Sequence, residues 1–393
     1  MRRVTMAERR ARLARRHLLA PGTRVDTPER VAHELVALHG TDPTTVYLSA
    51  WARMRAGDVP AVERALYHDR TLVRLLAMRR TVFVVPVELA PVVLAAASRA
   101  VAVQQRKLML EMLAKSGMTG DLDGWLAEVE LVALRALAVR GEATANELAG
   151  DDPRLATELV VARGKSYEGK QRVVSRVLLV LAAQGRIVRG RPLGSWTSTQ
   201  FRWSPTDRWF PELSIELSTE DAAVELARRW LIAFGPATVD DLKWWTGWTV
   251  TQTRRALARL DTVEVDLDGR PGLLLAGDLE PEPEVEPWVA LLPALDPTPM
   301  GWARRDFYLG PHAPLVFDGT GNVSPTVWVD GRIAGGWAQR KDGEVVFRLL
   351  EDVGSDAMTA IKQAAAELTT RLGPVRLTPR ARRPSPIERE LLE

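Results

Sequence analysis

GEATANEL at residues 141–148 and GPATVDDL at residues 235–242 are one phrase, G-x-A-T-x-x-[ED]-L, written twice at a separation of ninety-four positions. A long apolar-periodic helix is predicted before each copy and an Arg-bearing helix after it. Two short strands then meet at a Gly-Arg-Pro turn, Gly190-Arg191-Pro192 in one case and Gly269-Arg270-Pro271 in the other. The order helix, helix, helix, two-stranded wing makes the chain a tandem of winged-helix units, a design used most often to dock on DNA.

Around the second copy, 217–277, helices are predicted over 219–234, 238–246 and 249–260, with VEVDLDGRPGLLLAG as the wing. Around the first copy, 122–216, the third helix is predicted over 171–184, and period-2 alternation on both sides of 190–194 predicts a hairpin. Ahead of both, 1–121 reads as a degenerate first winged-helix unit with extra helices. Its helices are predicted over 9–19, from Thr27 as N-cap and Pro28 in the first turn to about Leu38, over 44–55 and over 60–67. An extended hairpin over 72–86 then turns at Met78-Arg79-Arg80, and 87–140 is helical with a polar break at 115–124.

An acidic, proline-bearing linker, DLEPEPEVEP (278–287), precedes a change of character. In 288–393 the stretches WVALLPAL, APLVFDG, NVSPTVWVDG, RIAGGWAQ and EVVFRLLED read as short strands separated by Asp-Gly turns, which predicts a small barrel or sandwich; a helix over 355–372 and a basic tail follow. The predicted fold class is α+β, three tandem winged-helix units plus a C-terminal small β-barrel.

Composition narrows the function. Hydrophobic residues make up 46% of 393, enough for ordinary cores, and no uninterrupted apolar run long enough to span a bilayer is visible, so no membrane partner is expected. The basic N-terminus lacks the apolar segment of a secretory signal. Cysteine is absent, which excludes disulfides, thiolate metal sites and a Cys nucleophile and fits a cytoplasmic, nucleoid-associated protein. The net charge of +3 conceals segregation: 163–202 holds nine Lys or Arg against Glu168, 2–16 holds seven Arg against Glu8, and 262–287 holds eight carboxylates against Arg270. Such a map predicts a basic surface facing a polyanion and an acidic surface turned away from it.

Few residues can carry chemistry. The five histidines show no metal-ligand spacing, no phosphate loop or nucleophile elbow is present, and neither metal nor cofactor is expected. One segment combines polar groups with irregular backbone between helices: His39-Gly40-Thr41-Asp42-Pro43. By spacing alone it reads first as a structural turn, with Asp42 as an N-cap, Gly40 as the turning residue and His39 and Thr41 as loop residues.

The blocks LVALHGTDPTTVYLSAWAR, LYHDRTLVRLLAMRRTVFVVP, GRPLGSWTSTQFRW, LLPALDPTPMGW and YLGPHAPLVFDGTGNVSPTVWVDGRIAGGWAQR together resemble the AlkZ-like (YcaQ-type) winged-helix DNA glycosylases over about residues 5–390. The resemblance implies three winged helices with a C-terminal barrel. It also implies hydrolysis of the N-glycosidic bond of alkylated purines, N7-alkylguanine especially, interstrand-crosslink unhooking in some members, and self-resistance to a DNA-alkylating metabolite in several. The family motif is Gln-apolar-Gln or Gln-apolar-Asp followed by Asp-Pro. Here His39, Gly40 and Thr41 stand at the first three positions and Asp42-Pro43 is retained.

On that resemblance the expected substrate partner is double-stranded DNA carrying bulky or crosslinked N7-alkylated purines, and the expected catalytic residues are His39 as proton acceptor, Thr41 as water holder and Asp42 as orienting or charge-offsetting group. A monomer is expected, since no heptad or dimer helix is visible. Expected DNA contacts are Arg79 and Arg80 at the hairpin turn, Lys165, Lys170, Arg172, Arg176, Arg189 and Arg191 around the wing, and Arg332 near a C-terminal hairpin. Trp196, Trp203, Trp244, Trp245 and Trp248 read as core rather than base-stacking residues. Two rival readings are a non-enzymatic winged-helix DNA-binding protein or regulator, and an antibiotic-sequestering protein.

Overall fold

The computed structural model describes residues 1–161, 169–212, 216–378 and 384–393. The chain is mixed α+β and forms two compact units, Met1–Ala65 with Val224–Glu393, and Leu66–Ala223. The segment 1–121 is therefore shared, with its leading helices in the first unit and its hairpin, Leu72–Leu76 paired antiparallel with Val82–Pro86, in the second.

The repeated phrase does the same work in each unit. In the second unit the helix Leu122–Arg140 stops at Gly141, where φ is +80°, a left-handed value that glycine adopts without strain. Ala143 exchanges backbone hydrogen bonds of 3.0 and 2.7 Å with Trp203 on the strand Phe201–Pro205. Thr144 then caps the helix Ala145–Asp151: its hydroxyl accepts from the Glu147 N–H, and the Glu147 carboxylate accepts from the Thr144 N–H. In the first unit Ala237 makes the same double bridge to Leu273 on the strand Pro271–Leu275, and Thr238 with Asp241 forms the same reciprocal cap on Val239–Thr246. The phrase ends in Leu148 and Leu242, both buried. Alanine joins the helices to the wing, threonine and the acid satisfy orphan N–H groups at a helix start, and leucine enters the core.

Each copy continues into a third helix, Val173–Ala183 or Val250–Leu257, and an antiparallel hairpin, Ile187–Pro192 with Phe201–Pro205 or Thr262–Asp266 with Pro271–Leu275. Two additions were not predicted. Arg2–Arg3 lies parallel to Thr262–Asp266 as a third strand, and an extra hairpin, Glu158–Val161 with Gly169–Arg172, precedes the third helix of the second unit. Gln171 therefore pairs with Leu159 on a strand, and the helix starts at Val173 rather than at 171. The Lys170 ammonium reaches the Glu158 carboxylate at 2.7 Å across this hairpin.

The C-terminal strands Val289–Leu292, Thr326–Val329, Arg332–Gln339 and Val345–Leu349 form an antiparallel sheet in sequence order. Among the described residues this sheet is open rather than a closed barrel, with the first and last strands at its edges. The predicted strand in 313–319 is instead a helical turn, Ala313–Val316, whose Pro314 suits a first turn and has no N–H to give to a ladder. The helices Gly354–Leu372 and Pro386–Leu392 pack against the sheet.

One helical run, Val87–Lys115, is long and apolar enough by length and composition alone to cross a membrane, yet 56% of its most apolar window is buried within the protein, as in a core helix. Val101 and Ala102 sit in a core cluster with Leu76, Val82 and Ala183, and Met109 and Leu113 in another with Leu126 and Val129.

A buried ion pair organises the first unit. Arg53 and Asp296 are both fully buried. The guanidinium meets the carboxylate bidentately at 2.7 and 2.8 Å, and its remaining N–H groups donate to His17 O, Ser49 O and Thr298 Oγ1 at 2.8–2.9 Å. Asp296 also accepts from Ser49 Oγ at 2.7 Å and Thr298 N at 2.9 Å. All five donors of the arginine are used, which is the condition under which burying two charges is tolerated. His17 completes the network: its Nδ1 lies 2.8 Å from Thr298 Oγ1 and its Nε2 3.2 Å from Ala233 O, so a neutral ring donates through Nε2 and accepts at Nδ1. Burial, with the Arg53 charge next, pulls its pKa from 6.5 to about 3.

Asp296→Ala strands a buried cation and is expected to lower stability by roughly 3–5 kcal/mol in urea denaturation; a loss below about 1 kcal/mol contradicts the assignment. The unfolded chain protonates His17 near 6.5 and the folded chain only near 3. The contribution is thus complete above 6.5 and declines as pH falls through that window, by about 1.4 kcal/mol per pH unit. His17→Gln is expected to flatten that part of the stability–pH curve; an unaltered slope rules the residue out as its source.

Candidate active site

The helix Pro43–Trp51 has a polar stripe at i, i+4 and i+8 that docks it onto the segment 294–298. Thr45 Oγ1 donates to Ala294 O at 2.7 Å, Ser49 Oγ to Asp296, and Arg53 closes the ion pair. This contact holds the helix along its length and so places its N-terminus. Asp42 is the N-cap there. Its Oδ1 accepts from both the N–H and the hydroxyl of Thr44 at 2.9 Å, and Pro43 occupies the first turn.

The HGTDP turn hangs from this cap. His39 lies on the short strand Leu38–His39 and is 3% exposed, and the Thr41 N–H donates to its Nδ1 at 3.4 Å. That contact engages Nδ1 as its acceptor. Thr41 and Asp42 are half-buried. The structure thus brings His39, Thr41 and Asp42 together in one turn.

Asp42 also lines a cleft with Ala294, Pro325, Trp337, Gln339 and Glu388. Gln339 is structural: its amide donates to Gly343 O and Val375 O and accepts from Leu377 N. Glu388 is the residue that the sequence did not reveal. It sits in the first turn of Pro386–Leu392, beyond the basic tail, where its N–H donates to the N-cap Ser385 and its Oε2 accepts from Ser324 Oγ at 3.0 Å. Burial raises its pKa, and the charges of Asp318 and Asp42 push the same way. The Ser-x-x-Glu spacing of a capped helix was the one signal available. Among the described residues no three His, Cys, Asp or Glu side chains could hold a metal ion.

The basic residues divide by partner. Arg79 and Arg80 sit at the hairpin turn with φ of +53° and +62°, Arg79 half-buried and Arg80 exposed. Lys165 falls outside the described residues. Lys170 pairs with Glu158, Arg172 donates to Asn146 at 3.4 Å, and Arg176 donates to Gln171 at 2.9 Å. Arg189 and Arg191 lie against aromatic rings. Arg332 is bound to Glu351 at 2.5 Å. Trp196, Trp203, Trp245 and Trp248 are buried, as expected of core residues, and Trp244 is half-buried.

The charge map needs one correction. The N-terminal arginines and the acidic stretch 262–287 are not opposed surfaces. They bond to each other: Arg12 and Arg16 meet Asp278 at 2.9 and 2.7 Å, Arg15 meets Glu282, and Arg3 meets Asp268. Four of the seven arginines are thereby paired with three acids of that stretch.

Because the folded-state pKa of Glu388 is raised, its stabilising effect is complete below about 4.5 and is lost as pH rises through the raised value. Glu388→Gln is expected to melt progressively higher than the parent as pH increases across that window. Superimposable melting curves from pH 4 to 8 count against a buried, proton-holding carboxyl.

Comparison with known proteins places the chain. A family model described as "DNA glycosylase AlkZ-like" matches residues 32–371. An "Interstrand DNA cross-link repair glycosylase" of Streptomyces sahachiroi is 28% identical over 167 residues, 40% of this chain and 45% of that protein, so the alignment spans less than half of the relative. The solved structure of the Streptomyces sahachiroi DNA glycosylase AlkZ superposes with a TM-score of 0.74 at 22% identity, covering 95% of this chain and 98% of that one, which shows a shared fold. With its model matched over most of its length, this chain belongs to the AlkZ-like DNA glycosylase family.

Proposed function

We propose that the protein is a monofunctional DNA glycosylase that hydrolyses the N-glycosidic bond of N7-alkylated purines, bulky or crosslinked adducts in particular. The observation that carries this reading is the placement of Asp42, retained from the family's Asp-Pro, at the end of a helix held by the Arg53–Asp296 network. The resemblance to an interstrand DNA cross-link repair glycosylase supports the crosslinked substrate class; a role in self-resistance to a DNA-alkylating metabolite is part of the same proposal and rests on the resemblance of the sequence blocks alone. The helix-helix-helix-hairpin series around both copies of the repeated phrase, with a more divergent set before them, supports three winged-helix units over 1–121, 122–216 and 217–277 as the DNA-docking scaffold.

An N7-alkylguanine is cationic, so its base departs readily with the bonding electrons of the glycosidic bond. The protein then has to stabilise the oxocarbenium-like sugar and deliver water to C1′. Asp42 suits both tasks. Thr44 engages one carboxylate oxygen, so the anion is held in a fixed orientation and can offset the sugar's charge while taking the proton of the attacking water. His39, whose Nδ1 takes the Thr41 N–H, orients the turn and is the second candidate to accept the water's proton; Thr41 supplies a hydroxyl for the water. The substrate partner is double-stranded DNA, bound by a monomer at the nucleoid. Replacement of both family glutamines by His39 and Thr41 favours a second reading, a DNA-binding protein that does no chemistry.

Duplex carrying an N7-alkylguanine, incubated with the protein and heated in alkali, is expected to be cleaved at the adduct. Asp42→Asn and His39→Ala are each expected to slow release at least tenfold while leaving duplex affinity within about twofold. Strand cleavage no greater than buffer across methyl, bulky and crosslinked adducts, with binding intact, establishes the second reading instead.

A further inference from the structure

Every deeply buried cation described so far has an acid. Arg53 has Asp296, and Arg12 has Glu8 and Asp278. One group in the second unit breaks this pattern. Arg74, on the strand Leu72–Leu76, is 4% exposed among apolar neighbours. One of its terminal nitrogens donates to Tyr67 Oη at 2.6 Å, while Nε and the other terminal nitrogen are shielded from solvent with no hydrogen-bond partner. Arg189, on the strand Ile187–Pro192, lies over Phe201 at 5.4 Å and Trp203 at 5.1 Å, and Arg74 shares the Phe201 ring at 5.2 Å. Arg191 lies over Tyr67 at 5.0 Å.

Stacking on aromatic faces offsets part of the cost of burying a guanidinium. It leaves the in-plane N–H groups unanswered, because a ring face accepts none of them well. Two neighbouring cations also repel each other: burial, with the Arg74 charge next, lowers Arg189 to about 10, which still leaves it charged at neutral pH. Tyr67 already accepts from Arg74, so its own hydroxyl proton is left to donate. Arg189 is half-buried and Arg191 exposed, which opens the group to solvent on one side.

We propose that Tyr67, Arg74 and Arg189 form a site for a single phosphoryl oxyanion, supplied in function by a phosphodiester of the bound DNA strand. A tetrahedral oxyanion offers several acceptors to forked donors and cancels the paired charge at once. The phosphodiester as source rests on the DNA-binding reading above; the oxyanion chemistry does not. Arg74 is the new member, since its place in an apolar strand concealed it among core residues. It anchors one phosphate rather than reading bases.

The test is binding and stability, with no chemistry required. Melting of the full chain is measured in chloride, in inorganic phosphate at matched ionic strength, and with undamaged duplex, for the parent, Arg74→Met and Arg189→Met. The variants are expected to melt no lower than the parent in chloride, to lose phosphate- and duplex-dependent protection, to bind duplex at least tenfold more weakly, and to show a salt slope shallower by about one. Protection by both ligands, or by duplex alone, supports the site and distinguishes free phosphate from phosphodiester as its occupant. Two results overturn the proposal: no protection of the parent by either ligand, or variants that retain the parent's protection and salt slope. A protein that binds duplex through this site and releases no base refutes the glycosylase reading and leaves this one standing.

Discussion

The Arg53–Asp296 pair is the contact on which the first unit depends. A bidentate ion pair at zero exposure is stable only when every remaining donor and acceptor is answered, and here His17, Ser49 and Thr298 answer them. Those partners come from the end of an N-terminal helix, the helix Pro43–Trp51 and the segment between the first two C-terminal strands, so satisfying one guanidinium fixes three distant stretches of chain. The position of Asp42 follows, because a helix held by Thr45, Ser49 and Arg53 has no freedom to move its cap. The position of the turn is thus set by a network that lies behind it.

The repeated phrase shows a different economy. Its residues do no chemistry; they solve one recurring problem, how to start a helix beside a two-stranded wing. The bridge from Ala143 or Ala237 and the reciprocal cap from Thr and an acid are local, needing only a few consecutive residues and the wing strand that follows. Local solutions of this kind can be written twice in one chain. Where the phrase is missing, in the leading segment, the backbone is free to adopt the HGTDP turn.

Charge illustrates how sequence position misleads. The seven arginines of 2–16 and the acids of 262–287 look like opposed surfaces when read along the chain, yet folding pairs Arg3, Arg12, Arg15 and Arg16 with Asp268, Asp278 and Glu282. The arginines at 74, 189 and 191 are unremarkable in sequence. In the second unit they lie over shared aromatic rings, and Arg74 keeps two buried nitrogens without a hydrogen-bond partner. A run of charge reports composition; only proximity reports whether that charge is spent.

Much of the fold was legible because its signals are local. Thr27 and Pro28, Asp42 and Pro43, the two copies of the phrase, and the hairpins at 72–86 and 262–275 were all marked by caps, turn residues and period-2 alternation, whose physics spans only a few residues. The turn holding His39, Thr41 and Asp42 was visible for the same reason. The open C-terminal sheet, the extra hairpin at 158–172, the partnership of Arg53 with Asp296, and the placing of Glu388 in the cleft with Asp42 were decided by tertiary structure. Each depends on bringing together residues up to hundreds of positions apart, or on a strand pairing that local preference leaves undetermined. Caps and turns are paid for within one stretch of chain, whereas the burial of a charge is settled by whatever the rest of the molecule places beside it.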